Sequence, residues 1–284
     1  MAIFSNQATL TYHGTSTNSN IAYGEILEIL TATKTAIEGS YTPSSLVTYV
    51  ITLRNTGVAT LNGITVSDDL GGYPFGGTTV YPLTYEDGSA TLYIDGILQA
   101  PPTVTAGPPL VFSGISLPGG SDAVLIYQAR ANAYANPNAD GIITNTVTVS
   151  AIGLAAPITA SETVSAASES LLSITKSICP AQVVDNDRVT YTFLIQNTGN
   201  QAVVATDNAT ISDVFSPILS ALSVTFDGTP WTEGVEYNYD EPTGLFTTVA
   251  GQITVPAATY TQDPVTGQYT IQPGIATLVV TGTI

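Results

Sequence analysis

The chain contains two copies of one strand-rich repeat, and its only two lysines occupy the same position in each copy. Lys34 lies in the segment ILTATKTAI, and Lys176, 142 residues later, lies in LLSITKSIC. A second matching pair follows at the same interval, VTYVITLRNTG at residues 47–57 and VTYTFLIQNTG at residues 189–199. This repetition within 284 residues indicates two domains of similar structure in tandem.

The repeated segments have the periodicity of β-strands. In both, apolar residues alternate with polar ones, which is the period of two that a half-buried strand requires. Each segment ends in an Asn-Thr-Gly turn, and we expect its glycine to supply a positive φ. Short strands separated by Pro-Gly and Asp-Gly turns, with only 10% charged residues, predict an all-β chain of two tandem immunoglobulin-like β-sandwich domains.

The two copies differ at their ends. The first closes with the strand-like segment ITNTVTVSA at residues 143–151, whereas no such segment follows the second copy before Ile284. A segment of the same type, FSNQATLTY, occurs instead at residues 4–12. We therefore predict an N-terminal donor strand at 1–12, a strand that completes the sheet of another copy. After this strand we predict a flexible Ser/Thr/Asn-rich connector at 13–24, domain one at 25–158 and domain two at 159–284. Domain two lacks its final strand.

Composition excludes several classes of function. The net charge is −17 with five basic residues, so neither nucleic acid nor anionic lipid is an expected partner. No run of 18 apolar residues predicts a membrane span, and the first residues do not resemble a secretory signal. No cofactor or metal site is predicted. The single cysteine, Cys179, excludes an internal disulfide; we interpret it as a small buried hydrophobic residue, with an intermolecular disulfide as the alternative.

The ordered set of segments resembles a known family. A lysine strand, VTYVITLRNTG or VTYTFLIQNTG, a strand ending in aspartate and the closing ITNTVTVSA are similar to the conserved-repeat domain of bacterial and archaeal surface proteins, the domain of unknown function eleven family. The resemblance covers both domains. It implies an extracellular β-sandwich in a stalk, adhesin or fibre at a cell surface, with no catalysis on a substrate. The incomplete second copy and the lack of a signal depart from that pattern, and subunits assembled around a spore need no signal.

Strand parity places a lysine, an aspartate and an asparagine on the apolar face of each repeat. Burial favours a neutral lysine amine, which is a nucleophile, and it raises the pKa of a carboxyl, which could then polarise an amide. Attack of the amine on the asparagine amide would form an isopeptide bond and release ammonia, as in Gram-positive surface domains that resemble this sandwich. The predicted sets are Lys34, Asn145 and Asp68 within domain one, and Lys176, Asp213 and Asn6 of another subunit.

Other interpretations of these residues stay open. The pairs Lys34–Asp68 and Lys176–Asp213 can be buried ion pairs with asparagine as a hydrogen-bonding neighbour, or the lysines can be exposed. Asp69 competes with Asp68 but falls on the opposite face of its strand.

Three classes of function follow from these features. The first is a structural subunit that polymerises head to tail with copies of itself to form an extracellular filament, pilus-like or a spore appendage. The second is a monomeric adhesin or stalk module whose N-terminal strand folds back onto its own domain two. The third, an enzyme acting on an external substrate, lacks any candidate active site. In the first, the groove of domain two is filled by the donor-strand residues Phe4, Asn6, Ala8, Leu10 and Tyr12.

Overall fold

A computed structural model describes residues 2–26 and 29–284. The chain forms two compact units. Unit one comprises the described residues up to Ala135 together with Ile142–Ser165, and unit two comprises Asn136–Gly141 and Ala166–Ile284. Apart from one 3-10 turn, Ala205–Asp207, the regular elements of the described residues are β-strands, and none of these residues form a helix able to cross a membrane.

The body of unit one is a sandwich of two antiparallel sheets. Its strands are β5 (Leu30–Ala36), β6 (Ser40–Tyr41), β7 (Leu46–Asn55), β8 (Leu61–Asp68), β9 (Tyr73–Phe75), β10 (Thr78–Val80), β11 (Leu83–Tyr85), β12 (Thr91–Ile94), β13 (Ile97–Leu98), β14 (Thr103–Thr105), β15 (Leu110–Leu117), β16 (Asp122–Ala131), β17 (Ile142–Ser150) and β18 (Ile158–Ala166). The first sheet has the order β13-β12-β16-β7-β5, with β11 added on β16, and the second has the order β14-β15-β8-β17-β18-β6; β9 and β10 pair only with each other. Alternate side chains of β7 and β8 point between the sheets and form the core.

Unit two repeats the first sheet in the order β19-β20-β28-β22-β23, but its second sheet contains only β21-β25-β24. Among the described residues, unit two has no counterpart of β17 or β18, and β21 is therefore an edge strand. The strands are β19 (Leu172–Cys179), β20 (Arg188–Asn197), β21 (Ser212–Val214), β22 (Ser220–Phe226), β23 (Thr229–Trp231), β24 (Tyr237–Asp240), β25 (Leu245–Thr248), β26 (Thr259–Gln262), β27 (Tyr269–Gln272) and β28 (Gly274–Thr283). The all-β, immunoglobulin-like fold predicted from the sequence is confirmed.

The N-terminal residues form a β-hairpin. Its outgoing arm consists of β1 (Ala2–Asn6) and β2 (Thr9–Tyr12), and its return arm of β3 (Thr15–Asn18) and β4 (Ala22–Ile26). β1 pairs with β4 and β2 pairs with β3, both antiparallel. The expected connector at 13–24 is thus part of this hairpin and not an irregular linker, because its Thr and Ser residues pair with the outgoing arm.

The division between the units also differs from the expected boundary at residue 158. The structure places it after Ser165, because β18 pairs along its length with β17 and belongs to the second sheet of unit one. Residues 136–141 lie with unit two, although they precede β17 in the chain.

The glycines of the two Asn-Thr-Gly turns were expected to have positive φ, and this expectation is wrong. Neither Gly57 nor Gly199 is among the residues with positive φ. Glycine is required at residue 199 because a Cβ there would lie 2.2 Å from the main-chain oxygen of Glu169. The close approach of two backbone segments, not turn conformation, therefore selects glycine at this position.

We expect Gly199→Ala to destabilise unit two by about 1–3 kcal/mol, because the backbone must shift to admit the methyl group. Gly39→Ala is the control, since a Cβ at that position meets nothing within 4 Å. Denaturant unfolding of both variants measures the difference. Equal stability of the two would show that the close approach at Gly199 does not constrain the fold.

Candidate functional site: two lysine–aspartate pairs

The first pair lies in the core of unit one. Lys34 on β5 donates from Nζ to Oδ2 of Asp68 at the end of β8, at 2.7 Å, and both side chains are 0% exposed. The Nζ atom also lies 4.6 Å from the ring centroid of Tyr49. Burial lowers the pKa of Lys34, and the charge of Asp68 only partly offsets this effect. Lys34 therefore loses its proton more readily than a free lysine does, which favours the neutral amine.

The carboxylate of Asp68 is held from several directions. Besides the amine of Lys34, it accepts a hydrogen bond from the hydroxyl of Tyr127 on β16. Its other oxygen accepts from the main-chain N–H of Leu70 at 2.8 Å. Asp69 instead accepts from the N–H groups of Gly71 and Thr146, both at 2.9 Å, and takes no part in the buried pair.

Asn145 completes this site from β17. Its side chain is 0% exposed, and β17 pairs with β8 so that Val147 lies opposite Asp68. The Nδ2 atom of Asn145 donates to the hydroxyl of Tyr127 at 3.2 Å, whereas Oδ1 has no hydrogen-bond partner among the described residues. An unpaired buried carbonyl costs about 1–3 kcal/mol. The structure thus brings Lys34, Asp68 and Asn145 into one buried cluster.

Tyr127 is the member of the cluster that sequence reasoning missed. Its hydroxyl contacts both Asp68 and Asn145, and its ring stacks on Tyr49 at 5.5 Å between centroids. Burial raises the pKa of Tyr127, and the neighbouring charge of Asp68 acts in the same direction, so this hydroxyl keeps its proton. The sequence offered only the apolar alternation around Tyr49 and Tyr127, which places both rings on the core side; the pairing of β7 with β16 that brings them together is a feature of the fold.

The second pair has the same partners but a different environment. Lys176 on β19 donates to Asp213 on β21, and its Nζ lies 4.4 Å from the ring centroid of Tyr191. The two side chains are 37% and 20% exposed, in contrast to the fully buried pair of unit one. Val280 pairs with Tyr191 where Tyr127 pairs with Tyr49, so this site lacks the bridging hydroxyl.

Exposure along the lysine strands shows where the difference arises. On β5, Leu30 is 2% exposed, whereas the equivalent Leu172 on β19 is 45% exposed. Ile174 and Ile178, which share the face of Lys176, are 52% and 44% exposed. Unit two thus leaves the apolar side of β19 uncovered, with the Lys176–Asp213 pair on it, and we call this uncovered strip the groove.

Cys179 is also exposed, at the end of β19. The interpretation as a buried hydrophobic residue is therefore wrong. That interpretation came from residue type alone; strand parity places Cys179 with Thr175 and Ser177, on the face of β19 opposite to Lys176.

The predicted donor residues lie on the outgoing arm of the hairpin with their side chains in solvent. Phe4, Leu10 and Tyr12 are 56%, 66% and 70% exposed, and Ala8 is also exposed. Asn6 is exposed on β1, opposite Ala22 in the register of the hairpin. The hairpin thus displays an apolar surface that its own return arm does not cover.

No protein-family model and no curated protein matches the chain by sequence. The resemblance to the conserved-repeat surface domain stays a prediction.

Several solved structures are similar in fold. The major pilin subunit of Bacillus cereus is 11% identical with a TM-score of 0.37, over 96% of this chain and 73% of that one. The pilus backbone protein of Streptococcus pneumoniae is 12% identical with a TM-score of 0.34, over 86% of this chain, which spans 55% of that structure. The collagen-binding domain of a Staphylococcus aureus adhesin is 8% identical with a TM-score of 0.32, over 49% of this chain and 99% of that domain. At these values the likenesses carry no argument about function.

We expect the two lysines to differ in their contribution to stability. Lys34→Met leaves a buried carboxylate without its cation, so the variant should lose about 3–5 kcal/mol. Lys176→Met is the matched control; because its pair is partly exposed, the loss in the monomer should be at most about 1 kcal/mol. Denaturant unfolding of the two variants checks this, and equal losses would contradict the difference in burial.

Proposed function

We propose that the chain is the structural subunit of an extracellular filament at a cell or spore surface. Subunits polymerise head to tail when the N-terminal strand of one copy inserts into unit two of the next, beside β21. Main-chain hydrogen bonds hold the inserted strand, and its alternating side chains fill the groove. Because the donor and the groove are different surfaces, the contact does not close on itself and yields a filament.

The contrast between the two lysine–aspartate pairs carries this proposal. The pair of unit one is fully buried because β17 lies over it, whereas the equivalent pair of unit two is open. A soluble monomer rarely exposes an apolar groove beside an unpaired strand edge, since both promote association. The segment at residues 4–12 matches residues 143–151, so the chain carries a strand of the type that covers this site in unit one.

Asn6 is the residue that such an insertion would bring to Lys176. It occupies the position in FSNQATLTY that Asn145 occupies in ITNTVTVSA. Phe4, Ala8 and Leu10 then correspond to Ile143, Val147 and Val149, which are at most 2% exposed in unit one. The insertion therefore completes unit two in the way that β17 completes unit one.

Isopeptide bonds would lock both sites. The neutral Nζ of lysine attacks Cγ of asparagine, the Cγ–Nδ2 bond breaks, and Nδ2 leaves as ammonia with a proton from the amine. Lys34 would join Asn145 within a subunit, with Asp68 handling the proton. Lys176 would join Asn6 of the next subunit, with Asp213 in the same role. The lowered pKa of Lys34 and the unpaired Oδ1 of Asn145 support this chemistry in unit one.

A monomeric adhesin or stalk module is the alternative. It requires the N-terminal segment to reach unit two of its own chain, although the rest of unit one separates the two along the sequence. A size that stays monomeric at all concentrations would favour this alternative over the filament.

Denaturing electrophoresis of assembled material after boiling tests the filament and its cross-links together. We expect a ladder of multimers for the wild-type protein and only monomer for Lys176→Ala and Asn6→Ala. Lys34→Ala is the matched control and should retain the ladder, because its bond lies within one subunit. Electron microscopy of the same samples separates the two claims: filaments without a ladder leave strand insertion intact and eliminate the covalent bond, whereas absence of filaments contradicts the proposed function.

The buried cluster predicts a role for Tyr127 in forming the Lys34–Asn145 bond. Its hydroxyl donates to the carboxylate and accepts from the amide, so it positions these two groups, and Tyr127→Phe should slow bond formation by about 10²-fold. Tyr85→Phe is the control, since the buried hydroxyl of Tyr85 has no hydrogen-bond partner among the described residues. The loss of about 17 Da that accompanies each bond, followed by intact-mass spectrometry after refolding, measures the rate. Equal rates for both variants would remove Tyr127 from the chemistry.

A further inference from the structure

We propose that subunits exchange the whole N-terminal hairpin, β1 to β4, and not a single strand. This inference rests on the proposed function and specifies the partner surface more closely. The occupant of the open side of unit two is then a two-stranded ribbon from a second copy of the chain.

The outgoing arm of the hairpin matches β17 of unit one, and its return arm matches β18 with one extra residue between β3 and β4. The outgoing arm advances three residues from Asn6 to Thr9 while the return arm advances four, which is a bulge; the β17–β18 ladder is regular over the same stretch. Asn145 lies opposite Glu162 in the β17–β18 ladder, and the equivalent Asn6 lies opposite Ala22. Thr148 lies opposite Thr159, and the equivalent Thr9 lies opposite Asn18. The return arm therefore stands where β18 stands, so the segment at residues 15–26 has a counterpart in the completed sheet as well as the donor strand.

The turn of the hairpin is built for two-strand pairing. Tyr12 and Thr15 are in register and enclose a loop of two residues, His13 with φ of 49° and Gly14 with φ of 80°. Positive φ at both central residues defines the turn whose twist matches a β-hairpin. In unit one the equivalent connection, between Ser150 and Ile158, is longer. The shorter turn aligns the two arms before any partner is present.

The two arms of the N-terminal hairpin divide side-chain volume between them differently from β17 and β18. In unit one, Ile143 and Val164 form a cross-strand pair, 2% and 0% exposed. The equivalent pair is Phe4 and Gly24, and the ring of Phe4 lies over Gly24, where a Cβ would be 2.2 Å from the ring. The larger residue of one arm occupies the space left by the glycine of the other. The two arms are therefore matched as a unit.

Exchange of the hairpin specifies a register. Val147 lies opposite Asp68 and Thr148 opposite Ser67, so Ala8 would lie opposite Asp213 and Thr9 opposite Ser212 of the next subunit. The three-stranded sheet of unit two would then gain two strands. An isolated two-stranded ribbon is marginally stable, and a third strand provides the support that it lacks.

Alternate residues of each hairpin arm point their main-chain N–H groups toward the other arm, and the residues between them point theirs outward, toward a possible neighbouring strand. A two-residue turn places Tyr12 and Thr15 in a hydrogen-bonded pair, so Leu10 and Thr17 form the next one, and Ser19 donates to Ala8 at 2.8 Å. The main-chain N–H groups of Thr9 and Ser16 point away from the hairpin partner. Thr9 is thus positioned to bond β21 of the next subunit, as its counterpart Thr148 faces Ser67 of β8.

Three proline variants of the full chain test the proposal through the critical concentration for filament formation. Thr17→Pro removes a hydrogen bond within the hairpin and should raise the critical concentration by about tenfold or more. Ser16→Pro is the matched control on the same arm. Its N–H faces outward and it loses only the side-chain bond to Thr11, so assembly should stay within about twofold of wild type. Thr9→Pro keeps the main-chain bonds of the hairpin, loses the side-chain bond to Asn18 and removes the main-chain bond to the next subunit, and it should abolish assembly. Thr9→Val removes the side-chain bond alone and should assemble like wild type.

The outcomes distinguish the proposals. Insertion of a single strand requires the hairpin to open first, so Thr17→Pro would then assemble as well as wild type or better, and exchange of the whole hairpin would be overturned while the filament proposal stands. If Thr9→Pro assembles normally, strand insertion itself fails. Hydrogen exchange of wild-type filaments provides a second measurement: slow exchange at Thr17 supports the hairpin, and exchange as fast as in a free chain overturns it. Thermal unfolding of each variant monomer shows whether both units remain folded.

Discussion

The rest of the structure depends on the buried ion pair between Lys34 and Asp68. A charge in a protein core is tolerated only when partners replace the water that it loses, and here the amine, a tyrosine hydroxyl and a main-chain N–H surround one carboxylate. That arrangement exists only while β17 covers the site, because β17 brings the buried Asn145 and excludes solvent. In a copy of the repeat without this strand, the lysine and the aspartate are partly exposed to solvent beside apolar side chains.

Unit two has this unfinished form. Its lysine strand is exposed along its length, and its aspartate lies on the edge strand β21. The exposed apolar side chains of the N-terminal hairpin are of the kind that the groove lacks. The net charge of −17 opposes association of copies through general repulsion, so strand pairing, apolar burial and a covalent bond are the interactions available to overcome it in the proposed filament.

The two lysine sites also differ in the chemistry that they can perform. Unit one holds its lysine, aspartate and asparagine in a closed cluster with Tyr127, whereas unit two has Val280 in the place of that tyrosine. The residue types of the predicted sets are repeated, but their solvation and hydrogen-bond partners are not. If both bonds form, the bond within a subunit and the bond between subunits would therefore form at different rates.

The sequence by itself determined the repeat, the strand periodicity and the side of each strand on which the lysines and aspartates lie, because a period of two is a local property of the chain. It also identified residues 4–12 as a segment of the same type as β17. Only the tertiary structure decided that residues 15–26 pair back on that segment, that Tyr127 bridges Asp68 and Asn145, and that Cys179 is exposed. These facts depend on which strands lie side by side and on which face is covered. Such long-range pairing is not encoded in the periodicity of any single strand.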